Sequence, residues 1–335
     1  MPPLIVTLGG GTGQSVLLAA LRRSRVRAHV TAIVGVTDDG GHSGTLRRAL
    51  AIPQVGDLRS CLEALAPDGP LAHLVRHRFR EGELDGVQVG NLLLAALCRT
   101  TGSLSKAAAA LSSLLGVPET VLPVSDGNSQ LAARLPRGRV VIGEWAIIRA
   151  LRALRGRPSH PVRLFHTPPL TATPAVRTSL ARAHWVLLAP GSLRTALGSL
   201  LLVRGVRAAL ARSRARIVFF VNLMTQPGNT DGFTARDHVD EVSRFLPRPP
   251  DVVVLDRRGV SPALVRAYAR TGGQPVVDDL GDDPRVLRVD LAERPDARRL
   301  ARYARAGKAF AAGPHLVRHD PAALARLLTR LFRAD

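Results

Sequence analysis

The stretch that most limits the possible folds is residues 4–36, where LIVTL runs into GGGTG, then QSVLLAALRR and, after a short gap, HVTAIVGV. A short apolar run, a glycine turn, an apolar pattern at helical spacing and a second apolar run read as a βαβ opening. The signature returns three times. WVLLA at 185–189 precedes PGS and a helical pattern, RIVFFV at 216–221 precedes NLMTQPG, and DVVVL at 251–255 precedes a loop ending in Ser261-Pro262. That serine and proline are the N-cap and first-turn residues of a helix. Strands that are apolar throughout belong to a sheet covered on both sides, so the expected fold is α/β: a Rossmann-like, mostly parallel sheet with helices on both faces.

Between these halves the pattern changes. Residues 45–115 read largely helical, and TVLPV, QLAARL and RVVIGE, within 120–144, read as short extended pieces separated by Gly, Asn and Pro. We expect one α/β unit over 1–335 with a helical and small β insertion at about 45–150, a two-domain split being the weaker alternative. No disordered linker composition and no fixed-period repeat divides the chain.

An apolar content of 46% over 335 residues supports a substantial core. No apolar run approaches the roughly 18 residues of a membrane span, and LIVTL lacks a basic leader and a cleavage site, so a soluble cytoplasmic protein is expected. Cys61 and Cys98 stand in apolar, helical-looking stretches, which suits buried free thiols in a reducing compartment. The formal charge of +21 rests on scattered arginines, with Lys only at 106 and 308 and aromatics at 4%. That pattern argues against nucleic acid and for an anionic small ligand.

Ligands of open parallel sheets collect beyond the carboxyl ends of the strands, where strand order reverses. Gly10, Gly11 and Gly13 follow the first strand; they free backbone amides and a helix N-terminus for a phosphate, and Thr12 can add a hydroxyl, although strand–helix packing alone also calls for such glycines. The loop is not a Walker motif, and Gln14 breaks the dinucleotide fingerprint. Asp38 and Asp39 end the second strand in TDDGGHSG, placed for a ribose hydroxyl or a metal, with Ser43 beside them. Gly191 and Ser192 form a second strand-to-helix turn, where Ser192 is either a phosphate donor or a plain N-cap. Asn91 is a buried cap or a ligand donor, Asp57 a helix cap or a site residue, and Asn222 and Gln226 can read amide-like base edges. Thr234 and Asp237 form a capping box. HLVRH at 73–77 and 315–319 has zinc-compatible spacing but neither a catalytic Glu nor a clear third ligand.

Taken together, GGGTGQSVLL, TDDGGHSGTLRR, GDLRSCLEALA, GNLLLAAL, APGSLRTAL and NLMTQPGNTDGFTARDHV resemble the bacterial gluconeogenesis factor family, the YvcK type. That family lies in the wider group containing 2-phospho-L-lactate transferase, the CofD type. The resemblance implies a Rossmann-like cytoplasmic homodimer that binds UDP-sugars such as UDP-N-acetylglucosamine and affects carbon metabolism, cell-wall synthesis and cell shape. It implies that Gly10–Gly13 and Ser192 hold the diphosphate, that Asn222 and Gln226 face the nucleotide, and that Asp38, Asp39, Ser43 and Asn91 line the sugar side. His42 departs from the Ser common in similar sequences. Two functions follow: a regulatory binder acting through a protein partner, or a transferase in which Asp38 or Asp39 holds Mg²⁺. A dehydrogenase using NAD is weakened by the broken fingerprint.

Overall fold

The computed structural model describes residues 2–154, 163–269, 272–294 and 317–333. Its centre is a seven-stranded sheet built from β1 (Leu4–Gly9), β2 (His29–Val34), β3 (Thr120–Pro123), β7 (Trp185–Leu188), β8 (Arg216–Phe220), β9 (Val252–Asp256) and β10 (Val286–Val289). The spatial order is β10-β9-β8-β7-β1-β2-β3, and every pairing is parallel. The chain therefore starts at the centre, builds outward through β2 and β3, then returns to add β7 on the other side of β1. Strand order reverses between β1 and β7, which is where such a sheet opens a crevice.

The helices are α1 (Gly11–Arg23), α2 (Gly41–Leu50), α3 (Gly56–Leu65), α4 (Pro70–Arg76), α5 (Val89–Thr101), α6 (Leu104–Leu115), α7 (Glu144–Ala153) and α8 (Pro174–Arg182), followed by shorter and later ones. α1 packs between α3 and the terminal helix Pro321–Leu331, while α8 packs with Val206–Arg212. Ile5, Leu8, Leu17, Leu18, Ile33 and Leu58 are fully buried at this junction. Deleting one such leucine to alanine costs about 2–5 kcal/mol. The residue that breaks the dinucleotide fingerprint is part of this core. Gln14 Nε2 donates to Thr7 Oγ1 at 2.9 Å and to the Ile33 carbonyl at 3.1 Å, and its Oε1 accepts from the Cys61 thiol at 3.6 Å. One buried amide thus ties α1 to β1, β2 and α3. Cys61 and Cys98 are both buried and free.

A second, antiparallel sheet has the order β5-β4-β6, from β4 (Gln130–Arg134), β5 (Val140–Ile142) and β6 (Arg163–Thr167). It has its own small core of Leu131, Ala133, Leu135, Ile147, Leu151 and Leu164. TVLPV differs from the sequence expectation: it is not part of this small sheet but is β3, the edge strand beside β2. β6 and β10 have no counterpart in the sequence reading. β6 buries alternate residues and sits before a Thr-Pro-Pro turn, while β10 is a half-exposed edge strand interrupted by Arg288, so neither presents an unbroken apolar run. Among the described residues, no helix is long and apolar enough to cross a membrane.

Candidate functional site

The tips of β1, β2, β7 and β8 open onto one cleft of about 470 Å³. Eleven of the residues expected from the sequence line it: Gly10, Gly11, Thr12 and Gly13; Asp38 and Ser43; Asn91; and Gly191, Ser192, Asn222 and Gln226. Asp39 is not among the lining residues; it turns toward α7, where its Oδ1 accepts from the Trp145 amide at 3.2 Å.

The glycines are needed for separate reasons. Gly11 has φ +55°, a left-handed conformation in which glycine carries no Cβ penalty. Gly13 is forced by close approach, since a Cβ there would fall inside the carbonyl of Pro190. Gly10 is the extended N-cap of α1 with no side-chain cap, so the helix N-terminus is open to the cleft. The loop is not bare amide, however. Asp57, at the start of α3, lies against Gly10 and takes a backbone hydrogen bond from Gly11. Burial, helped by the nearby Asp38, pushes the Asp57 carboxyl up to about 7, against the opposing pull of Gln54, Arg59 and the Gly11 amide. Asp57 therefore lines the cleft beside the glycine loop, with its protonated form favoured over that of an ordinary carboxyl.

A second acid joins from the small sheet. Glu144, the first residue of α7, is only 7% exposed. Ligand atoms of Asp38, Asp39 and Glu144 all lie within 4.8 Å of one another. Burial and then the Asp38 charge hold the Glu144 carboxyl well above the usual carboxylate range. The sequence carries no local signal for Glu144, because an acid opening a helix reads as an ordinary first-turn residue. Behind the acids, the buried Arg47 donates to Asn128 Oδ1 at 3.2 Å and to the Ser129 carbonyl. A buried hydrogen-bond chain lies alongside: Thr37 Oγ1 meets Ser199 Oγ at 2.7 Å, which meets His166 Nε2 of β6 at 3.0 Å. Burial lowers His166 to about 4, so the ring is neutral.

The polar side chains divide between shaping the cleft and facing it. Asn222 clamps Gly191 at two points, its Oδ1 accepting from the Gly191 amide at 2.9 Å and its Nδ2 donating to the Gly191 carbonyl at 2.7 Å. Each end of the amide keeps one further hydrogen-bonding position. Ser43 Oγ accepts from the Gly56 amide at 3.0 Å and so supports the start of α3. Asn91 is not the cap of α5, a position held by Gln88; its Oδ1 accepts from Arg59 Nε at 2.9 Å. Ser192 occupies the N-cap position of the π-helix Leu193–Gly198, but its hydroxyl makes no capping bond. Thr234 and Asp237 form the reciprocal capping box of the helix Ala235–Phe245. Arg59 and Arg78, which no sequence motif singles out, also line the cleft.

The first histidine pair does not meet on one helix face as its spacing allows. His77 lies past the end of α4 in extended conformation, and His73 contacts Asp68 at 2.9 Å. His319 is buried at the cleft, and its partner in the second pair, residue 315, lies outside the described residues.

A family model described as 2-phospho-L-lactate transferase CofD matches residues 5–295. A Thermotoga maritima relative is 37% identical over 332 residues, covering 98% of this chain and 99% of its own. The protein named gluconeogenesis factor in Bacillus subtilis is 36% identical over 282 residues, covering 83% of this chain and 86% of its own. A crystal structure of a UPF0052 family member from Bacillus halodurans superposes with TM-score 0.83 at 31% identity, covering 98% of this chain and 99% of that one. With the family model spanning most of the chain and full-length relatives above 30% identity, this protein belongs to the CofD family, among the proteins named gluconeogenesis factor.

Proposed function

We propose that this protein binds a nucleotide-sugar of the UDP-N-acetylglucosamine kind and serves as a regulator of carbon metabolism, cell-wall synthesis and cell shape. The observation that carries this reading is the convergence of Gly10–Gly13, Gly191 with Ser192, and Asn222 with Gln226 on one cleft at the strand-order reversal. A volume of about 470 Å³ suits a ligand of that size. In this proposal the open N-terminus of α1 and the Ser192 hydroxyl take the diphosphate, with Gln226 on the nucleotide side. The protein acts as a cytoplasmic homodimer, passing its state to a protein partner. A thermal-shift panel tests it: UDP-N-acetylglucosamine at a hundredfold excess over Kd stabilises the fold by about 2.7 kcal/mol, without product. The same ligand leaves Gly11→Val unshifted. No shift with any UDP compound sinks the proposal.

One observation favours a second reading, a Mg²⁺-dependent transferase of phosphorus-containing groups. Glu144 joins Asp38 and Asp39 to make a set of hard oxygen donors, the kind Mg²⁺ takes. A divalent cation held by these three would displace the Glu144 proton and relieve their mutual repulsion. When bound, it supplies charge stabilisation at a phosphoryl oxygen. The chain's own contribution is to hold the carboxylates, with Asp38 fixed by the Gly40 amide at 2.7 Å and Asp39 by Trp145. A Mg²⁺-induced melting shift that Glu144→Gln abolishes supports this reading, and its absence in the unaltered protein removes it.

A further inference from the structure

The cleft is lined by groups of both signs: Asp38, Asp57 and Glu144, together with Arg59 of α3 and Arg78 from the segment after α4, and with His42 of α2 beside them. Arg59 is held before any ligand arrives: its Nε donates to Asn91 Oδ1 at 2.9 Å, its Nη2 to Ser60 Oγ at 2.8 Å, and its Nη1 pairs with Glu63 Oε2 at 2.5 Å. Its side chain is 11% exposed.

The acid in this network is shared. The other oxygen of Glu63 accepts from Gln88 Nε2 at 3.1 Å, and Gln88 Oε1 in turn accepts from Arg78. Glu63 thus pairs directly with Arg59 alone, while Arg78 is held by neutral acceptors, Gln88 Oε1 and the Gly86 carbonyl, and keeps its charge without a carboxylate bonded to it. The Arg78 guanidinium is held below its ordinary range by burial and then by Arg59 and Arg80. His42 adds an opportunity for hydrogen bonding: its Nδ1 is buried without a partner. Burial, and then Arg78, lowers the basicity of this ring. A neutral imidazole beside two fixed guanidinium groups can donate to an oxyanion or accept from a protonated one.

We infer that Arg59, Arg78 and His42 form a second anion subsite in the cleft, separate from the glycine loop, which takes the carboxylate or phosphate of a small second ligand. Asp57, two residues before Arg59 on α3, lies against Gly10, so the glycine loop already carries an acid of its own. Guanidinium forks favour planar oxyanions of either chemistry. The inference uses the proposed nucleotide site only to name the position already occupied.

The test is calorimetric titration of the full chain with inorganic phosphate, and separately with malonate, each with and without saturating UDP. Phosphate or malonate is expected to bind whether or not UDP is present, and the tighter of the two identifies the chemistry. Arg78→Gln, an exposed change, lowers that affinity by about tenfold or more, the worth of one charge-assisted hydrogen bond. Arg59→Lys, which keeps the charge and loses the fork, weakens it as well. The subsite is overturned if Arg78→Gln leaves both affinities unchanged, if neither anion binds, or if UDP expels them completely. If UDP itself does not bind, the nucleotide reading fails alone, and the titrations without UDP still decide the subsite.

Discussion

Replacing Asp57 with asparagine removes a carboxyl that the fold keeps protonated up to about pH 7, where the ordinary value is 3.8. Below both values the group is neutral folded and unfolded, and it contributes nothing. Between them the folded state holds a proton that the unfolded state releases, so stability falls as pH rises, and above about 7 the deficit is constant. The difference of about three pH units sets a ceiling of about 4 kcal/mol, at about 1.4 kcal/mol per unit. Residue 57 is partly exposed, so solvent screening reduces that to about 2 kcal/mol. The substituted amide would keep an acceptor for the Gly11 N–H while carrying no charge. At an unfolding entropy of about 2.1 cal/mol/K per residue, 335 residues turn 2 kcal/mol into a Tm gain of about 3 °C at pH 8. Near pH 4 the gain shrinks below about 1 °C, since little of the linkage remains there. Differential scanning calorimetry of both proteins at the two pH values reads this directly. Equal gains at both, or a less stable variant at pH 8, would show that Asp57 is ionised against the glycine loop and that the reasoning is wrong.

Two further substitutions test the packing around the cleft. Gly13→Ala drives a Cβ into the Pro190 carbonyl and should cost about 3 kcal/mol or more, with the nucleotide-induced shift lost. Gly11→Ala incurs only the left-handed penalty of about 1–2 kcal/mol, and a reversed order in urea melts contradicts the close-approach argument. Gln14→Leu strands the Thr7 hydroxyl and should cost about 2 kcal/mol, of which Thr7→Val in the same chain restores about half. A simply additive double variant would show that the buried amide does not bridge the two.

The sheet was legible where burial is complete. β1, β7, β8 and β9 are buried along nearly their whole length and read as mostly apolar runs, and β2 is buried over its last three residues. β3 is as short as the pieces that follow it, so only its pairing with β2 assigns it to the main sheet. The site was legible at strand tips, because glycine, aspartate and asparagine at those positions exceed what a turn requires. Glu144, Arg59 and Arg78 were not, since a charged residue at a helix start, on a helix or in a connecting segment reads the same whether protein, solvent or a ligand faces it. Asn222 illustrates a subtler case: its position was readable from the loop, while its clamp on Gly191 depends on a residue 31 positions away.

The Thr37–Ser199–His166 chain and the Asp39–Trp145 bond fasten the small sheet to the tip of β2. Glu144 rides on the small sheet's helix, whereas Asp38 and Asp39 belong to the large one. The three acids are thus assembled by docking rather than by any one segment. Whatever loosens the seam between the sheets, however far from the ligand, dilutes the negative charge at that corner.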